Sequence, residues 1–222
     1  MKNAAPKLSN TTKMPGKSWS LNAWETCPGA RKDDGTPVDA CSTCYALTGA
    51  YQFPVVIASR NHNLKDWQNP DWVPAMVKLV SKQKWFRWFD SGDVYTPALA
   101  IKIRKVIEQT TGTQHWLPTR SYKVPAIQHE LRKIEVLPNA VVRYSSDSKI
   151  GERLAMPGNN STIIQYKDEF TSEKGVSLCR AAERGGACGN CRACWSDRVD
   201  TIVYPFHGKK VSPKKFEKVL TV

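Results

Sequence analysis

Trp85-Phe86-Arg87-Trp88-Phe89-Asp90-Ser91-Gly92-Asp93, then Thr96-Pro97 with Leu99, Ile103, Val106 and Ile107, then Gln114-His115-Trp116-Leu117-Pro118-Thr119, is the run that decides the fold. The aromatic segment 85–89 has the length and apolar density of a buried strand. Thr96 can cap a helix and Pro97 suits its first turn, while Leu99, Ile103, Val106 and Ile107 follow the i, i+4, i+7, i+8 spacing of one helical face. Gln114 to Thr119 then reads as a strand again. A helix joining two short apolar strands is a βαβ unit, and such units build parallel sheets.

The alternation continues outward. Residues 125–134 predict a helix buried through Ile127, Leu131 and Ile134, and 141–145 a further strand. Upstream, 51–67 and 71–82 read as helices, the second capped at Asp71 with Pro74 in its first turn. Downstream, 161–166 and 201–204 supply more strands. With five or six strands, 222 residues fall short of the ~250 typical of a complete eight-stranded barrel. The expected fold is α/β, a partial (βα) barrel or open parallel sheet with Cys-rich loops. Its expected divisions are a flexible N-terminal tail at 1–17, a partial-barrel core at 18–170, and a Cys-rich C-terminal segment at 171–222 with a lysine-rich stretch at 209–218.

Composition narrows the function. There are 33 Lys plus Arg against 20 Asp plus Glu, a formal charge of +13, and the mean hydropathy is -0.47. No stretch approaches the ~20 apolar residues of a membrane span, and residues 1–10 lack the apolar centre of a secretory signal, so a cytoplasmic protein without membrane contact is expected. Thiols stay reduced there, and the 7 Cys gathered at short spacings point to metal or cluster ligation rather than disulfides. The basic balance points to an anionic partner, nucleic acid first and DNA foremost.

The cysteines form two sets. Cys188, Cys191 and Cys194 stand at the C-x2-C-x2-C spacing that wraps one cubane cluster, and Cys179 is a candidate for the remote fourth ligand. A structural zinc on the same thiolates, or on three of them plus His207, is the alternative. Cys27, Cys41 and Cys44 lie in a Gly-, Pro- and Asp-rich loop and number only three. A centre with three protein ligands keeps one position open, as catalytic centres do, unless a histidine such as His62 closes a structural zinc site.

Polar sets follow three successive strands: Asp90, Ser91, Gly92 and Asp93; then Thr119, Arg120, Ser121 and Lys123; then Ser145, Ser146 and Asp147. The carboxyl ends of parallel strands are where such sheets bind ligands. Asp90 and Asp93 there can hold an amino group or a ribose hydroxyl, and Arg120 and Lys123 can meet a phosphate. His115, within a strand, reads as a core residue, and Trp195 as packing.

Ser18-Trp19-Ser20-Leu21, Thr26-Cys27-Pro28-Gly29-Ala30, Cys41-Ser42-Thr43-Cys44-Tyr45-Ala46, the Phe86 to Asp93 run, and Cys188-Gly189-Asn190-Cys191-Arg192-Ala193-Cys194-Trp195 together resemble the gene product 88 family of phage and plasmid proteins. That family looks like small radical S-adenosylmethionine enzymes. The resemblance implies a 4Fe-4S cluster on Cys27, Cys41 and Cys44, with S-adenosylmethionine on its open iron. It implies that Ser91, Gly92 and Asp93 hold the cofactor's amino group, with Asp90, Ser145 and Asp147 beside them, and that a reductant protein supplies electrons. Cys179, Cys188, Cys191 and Cys194 would carry a second cluster. The pattern departs from the usual C-x3-C-x2-C in the thirteen residues between Cys27 and Cys41, and Tyr45 follows the last Cys where an aromatic usually precedes it.

Asp90-Ser91-Gly92 also resembles the Asp-Ser-Gly-Gly motif of barrel transglycosylases that exchange guanine for deazaguanine bases. Their zinc site of three cysteines and one histidine would correspond to Cys188, Cys191, Cys194 and His207. The third expectation is a non-catalytic, metal-stabilised nucleic-acid-binding protein.

Overall fold

The structure is a computed structural model describing residues 5–207 and 211–216. Its strands are β1 (Leu8–Ser9), β2 (Ser18–Trp19), β3 (Trp85–Trp88), β4 (Gln114–Thr119), β5 (Ala140–Ser145), β6 (Asn159–Ile164), β7 (Val176–Leu178) and β8 (Thr201–Pro205). Its helices are α1 (Pro54–Asp66), α2 (Trp72–Val80), α3 (Pro97–Glu108) and α4 (Pro125–Glu135). The strands form one sheet in the order β1-β2-β3-β4-β5-β6-β8-β7. The β1–β2 pair is antiparallel and every other pair is parallel. The sheet is not closed into a barrel; β1 and β7 are its edges.

Strand alternation separates two faces of this sheet. Phe86 and Trp88 of β3, Leu117 of β4, and Val142 and Tyr144 of β5 join buried residues of α2, α3 and α4 in the main core. The intervening residues meet the C-terminal segment instead. Trp195 sets its ring 5.8 Å from Trp85 and 5.1 Å from Trp116, and its Nε1 donates to the Phe86 carbonyl at 2.9 Å. The helices therefore cover one face and the Cys-rich segment part of the other.

Helix α3 matches its sequence signals: Leu99 N–H donates to Thr96 Oγ1 at 3.2 Å, Pro97 occupies the first turn, and Leu99, Ile103, Val106 and Ile107 are buried. Helix α1 starts later than the expected residue 51, because Gly49–Gln52 forms a 3-10 turn and Pro54 opens the α-helix. The expected tail, 1–17, differs as well. Leu8–Ser9 pairs with β2, and the Lys13 carbonyl accepts the Cys188 N–H at 2.8 Å. A two-residue edge strand needs only backbone partners, so no periodicity announces it. Within the lysine-rich stretch, residues 209, 210, 217 and 218 lie outside the described residues. Among the described residues, no helix is long and apolar enough to cross a membrane.

His115 is 1% exposed in this core. Trp88 Nε1 donates to its Nδ1 at 3.2 Å, and Thr110 Oγ1, whose own proton goes to the Val106 carbonyl, lies 2.9 Å from its Nε2. That network assigns the neutral Nε2–H tautomer. A second proton would meet the Trp88 N–H, and burial lowers the pKa to about 3. The folded state resists a proton that the unfolded chain accepts below its ordinary value, so stability is complete above that value and falls as pH drops toward 3. By pH 4.5 this histidine alone removes roughly 2.5 kcal/mol. A His115→Gln variant should show a correspondingly shallower loss of stability between pH 7 and 4.5 in urea titrations; an unchanged slope would contradict this assignment.

Candidate metal and cofactor site

The chain leaves β2 at the carboxyl end of the sheet and enters the loop carrying Cys27, Cys41 and Cys44. Backbone contacts and the Tyr45 hydroxyl pin this loop across three strand ends. Leu21 N–H donates to the Ser91 carbonyl at 3.1 Å and Ala40 N–H to the Asp147 carbonyl at 2.8 Å, while Tyr45 Oη donates to the Asp90 carbonyl at 2.8 Å. At Gly29, a Cβ would stand 1.9 Å from the Arg120 carbonyl oxygen, so the loop rests directly on the segment after β4. Gly92, at φ 72°, meets the other end of the loop: its Cβ would lie 2.6 Å from Thr26 Oγ1 and 2.8 Å from Leu21 Cβ. Its smallness is used by the protein's own loop.

Two bulky residues here take left-handed backbone angles, Trp24 at φ 69° and Phe89 at φ 57°. Such residues avoid this region, at a cost of roughly 1–2 kcal/mol each. Phe89 turns the end of β3 so that Asp90 follows a sharp bend, and Trp24 does the same just before Cys27. Strain thus sits at both parts of the site.

The three thiols are half-buried and pack against Trp24, Ala30 and Leu47. Burial pushes Cys27 well up, with Asp93, Cys44 and Cys41 adding to it. Burial and then Cys41 raise Cys44 to about 11, while Cys41 is raised by burial and drawn back by Arg120. The three thiols therefore share one electrostatic neighbourhood with Asp93 and Arg120.

The two carboxylates of the strand-end motif differ in use. Asp93, 6% exposed, accepts the Val94 N–H at 2.7 Å and the Arg120 N–H at 2.8 Å, and burial raises its pKa to about 6. It clamps the end of β3 to the end of β4. Asp90 is 4% exposed, and its Oδ1 has no hydrogen-bond partner among the described residues. The Arg60 guanidinium feels its charge, and Arg60 Nε is likewise buried and unpartnered. Ser91 Oγ donates to the Leu21 carbonyl at 2.7 Å. Arg120 and Lys123 both pair with Asp147, and Ser145 lies 3.2 Å from Ser161 through their hydroxyls.

The distal set gathers beyond the sheet's other face. Cys179, Cys188, Cys191 and Cys194 line one small cavity, with Trp195 and Ile202. Cys194 Sγ lies 3.4 Å from Tyr204 Oη. Arg87 stands between the two sets, with its Nη2 3.4 Å from Tyr45 Oη and its charge felt at Cys194. Among the described residues, no three His, Cys, Asp or Glu side chains converge as a metal-gripping group. The case for metal rests on donor chemistry: soft thiolates in sets of three and four fit iron–sulfur clusters or zinc. His62 Nε2 is 3.1 Å from the Ala5 carbonyl, and His207 is exposed. A larger cavity of about 190 Å³ lies at the amino ends of β4, β5 and β6, beside Gln114, Ala140 and Asn159, and none of the seven cysteines lines it. Its place, opposite the Cys loop, argues against it as the reactive site.

The family model for gene product 88 matches residues 1–197. The chain belongs to the gene product 88 family. The match takes in both cysteine sets and the Asp90 to Asp93 motif and ends before β8, so in this gene product 88 chain the last matched strand of the sheet is β7. No curated protein and no solved structure matches the chain. Sequence reasoning missed Arg60, Arg87 and Arg143. Charged residues on a strand or helix read as solvent-facing, and only the fold shows that Arg60 and Arg143 are buried and Arg87 half-buried.

Proposed function

We propose that this protein is a phage-encoded radical S-adenosylmethionine-type enzyme of the cytoplasm that modifies a nucleic-acid base or nucleotide, DNA foremost. One observation carries the reading: a three-thiol loop after the first parallel strand is pinned over the carboxyl ends of β3, β4 and β5, beside a buried carboxylate oxygen with no partner among the described residues. Neighbouring parallel strands in sequence order from β2 to β6, with helices on one face, are also what a partial (βα) barrel has. When bound, a 4Fe-4S cluster would pass an electron from a reductant protein to S-adenosylmethionine, releasing a radical that takes hydrogen from the substrate.

Cys27, Cys41 and Cys44 would hold that cluster and leave one iron open. Both oxygens of Asp93 already accept a backbone N–H whereas Asp90 Oδ1 accepts none among the described residues, so the cofactor's ammonium falls to Asp90 and its carboxylate to Arg60. The buried aromatic and guanidinium groups around the site exclude water from it. Cys179, Cys188, Cys191 and Cys194 would hold a second cluster. The charge of +13 supports an anionic substrate.

Hydrogen bonds to charged groups contribute about 1.5–3 kcal/mol, so Asp90→Asn should weaken S-adenosylmethionine binding by ~10–100-fold. Equilibrium dialysis on anaerobically reconstituted protein measures this, with the absorption spectrum showing that iron is retained. Unchanged affinity would remove Asp90 from the site.

A further inference from the structure

Arg143 lies on β5 with 0% of its surface exposed. Its Nε donates to the Cys194 carbonyl at 3.1 Å. Nη2 donates to the carbonyls of Ala193 at 2.9 Å and Ser196 at 2.7 Å, and Nη1 to those of Val199 at 2.9 Å and Asn160 at 3.4 Å. Every acceptor is a neutral carbonyl. Among the described residues no carboxylate stands within ion-pair distance of it.

Burying a guanidinium costs several kcal/mol unless a negative charge answers it, and hydrogen bonds to neutral carbonyls satisfy its donors without neutralising it. Three groups bear on Arg143 electrostatically: burial keeps the Tyr204 phenol protonated, Asp200 acts from beyond ion-pair distance, and Cys194 is the one whose main chain Arg143 also holds. Lys13, Arg192 and Arg87 also bear on the distal thiols, through Cys188 and Cys194. Four thiolates around Zn²⁺, or around an oxidised 4Fe-4S cluster, carry a net charge of −2. A positively lined position suits such an anion.

We infer that Arg143 is the built-in counter-charge of an anionic tetrathiolate metal centre on Cys179, Cys188, Cys191 and Cys194, and that it sets how firmly that centre holds its metal. The inference rests on the reading of these four cysteines as metal ligands, and it holds for zinc and for iron–sulfur alike. Arg143 is a positioning residue that acts through the loop and the field it places on the sulfurs.

The test uses full-length protein in which Cys27, Cys41 and Cys44 are all serine, so that metal is read at the distal set alone. Metal per chain, retention against a graded chelator, absorption spectrum and melting are compared for this background and for its Arg143→Gln and Arg143→Lys forms. Loss of an outer-shell partner commonly weakens metal binding 10–100-fold. Arg143→Gln should weaken retention by at least ~10-fold while the chain stays folded, and Arg143→Lys, which keeps the charge with fewer donors, by less than ~3-fold. Equal retention in folded Arg143→Gln protein would overturn the inference and leave the metal centre standing. No metal in the Arg143-intact background would overturn both. If Arg143→Gln does not fold, Arg143→Lys decides: near-normal retention with a lowered melting point supports the counter-charge, and a tenfold loss overturns it.

Discussion

Changing Cys41 to serine should leave a folded chain that keeps the metal of its distal cysteines and cleaves S-adenosylmethionine at least ~100-fold more slowly, a loss at or beyond the upper end of what outer-shell partners alone produce. Backbone bonds rather than the thiol anchor this part of the loop: Cys41 N–H donates to the Val38 carbonyl at 2.9 Å and Ala40 N–H to the Asp147 carbonyl at 2.8 Å. Serine preserves size and removes the soft donor, so chemistry should suffer far more than folding. Iron per chain, 5′-deoxyadenosine formed and the melting curve check the three parts separately. Undiminished cleavage would remove Cys41 from the reactive centre. Global unfolding would show that the cysteines are structural, as a metal-stabilised binding module requires.

Gly29→Ala should be among the most damaging single methyl additions in the protein. The new Cβ would lie 1.9 Å from the Arg120 carbonyl oxygen and 2.3 Å from its carbon. Both are backbone atoms, so no side-chain rotation relieves the contact, and the loop must lift from the end of β4. Overpacking of this kind costs about 1–3 kcal/mol, and backbone-on-backbone contact belongs at the top of that range or above it. Cys27 is two residues away, so the proximal centre should be lost with the docking while the distal set keeps its metal. Gly112, with nothing within 4 Å of its would-be Cβ, is the control and should accept alanine with little change. Denaturant titration and metal analysis of both variants measure this; a proximal centre and stability unaltered by Gly29→Ala would mean that the loop is not held as described.

The residues that could be read locally were the ones whose patterns are local. The strand, Pro-opened helix and strand from Trp85 to Thr119 carry apolar spacing and a cap within a few residues of each other, and α3 and α4 follow the same logic. Helix α1 encloses Arg60 and Asn63 rather than an apolar stripe, so no apolar periodicity marks where the 3-10 turn gives way to it at Pro54. β1 and β7 have two and three residues and exist only as partners of β2 and β8. At the site, the chain order marked the Asp90 to Asp93 motif and both cysteine sets. It did not distinguish the two aspartates, because what separates them is the Arg120 N–H, twenty-seven positions away from Asp93. Arg143 was hidden for the same reason: its acceptors at Ala193, Cys194 and Ser196 come some fifty residues later.

The central claim is that the three-thiol loop carries a reactive iron–sulfur centre. It is tested most directly by purifying the protein without oxygen, measuring iron, sulfide and zinc per chain, and assaying the reduced protein with S-adenosylmethionine for 5′-deoxyadenosine. The account predicts iron and sulfide sufficient for two clusters and cleavage of the cofactor. Stoichiometric zinc, with neither iron nor cleavage, would contradict it.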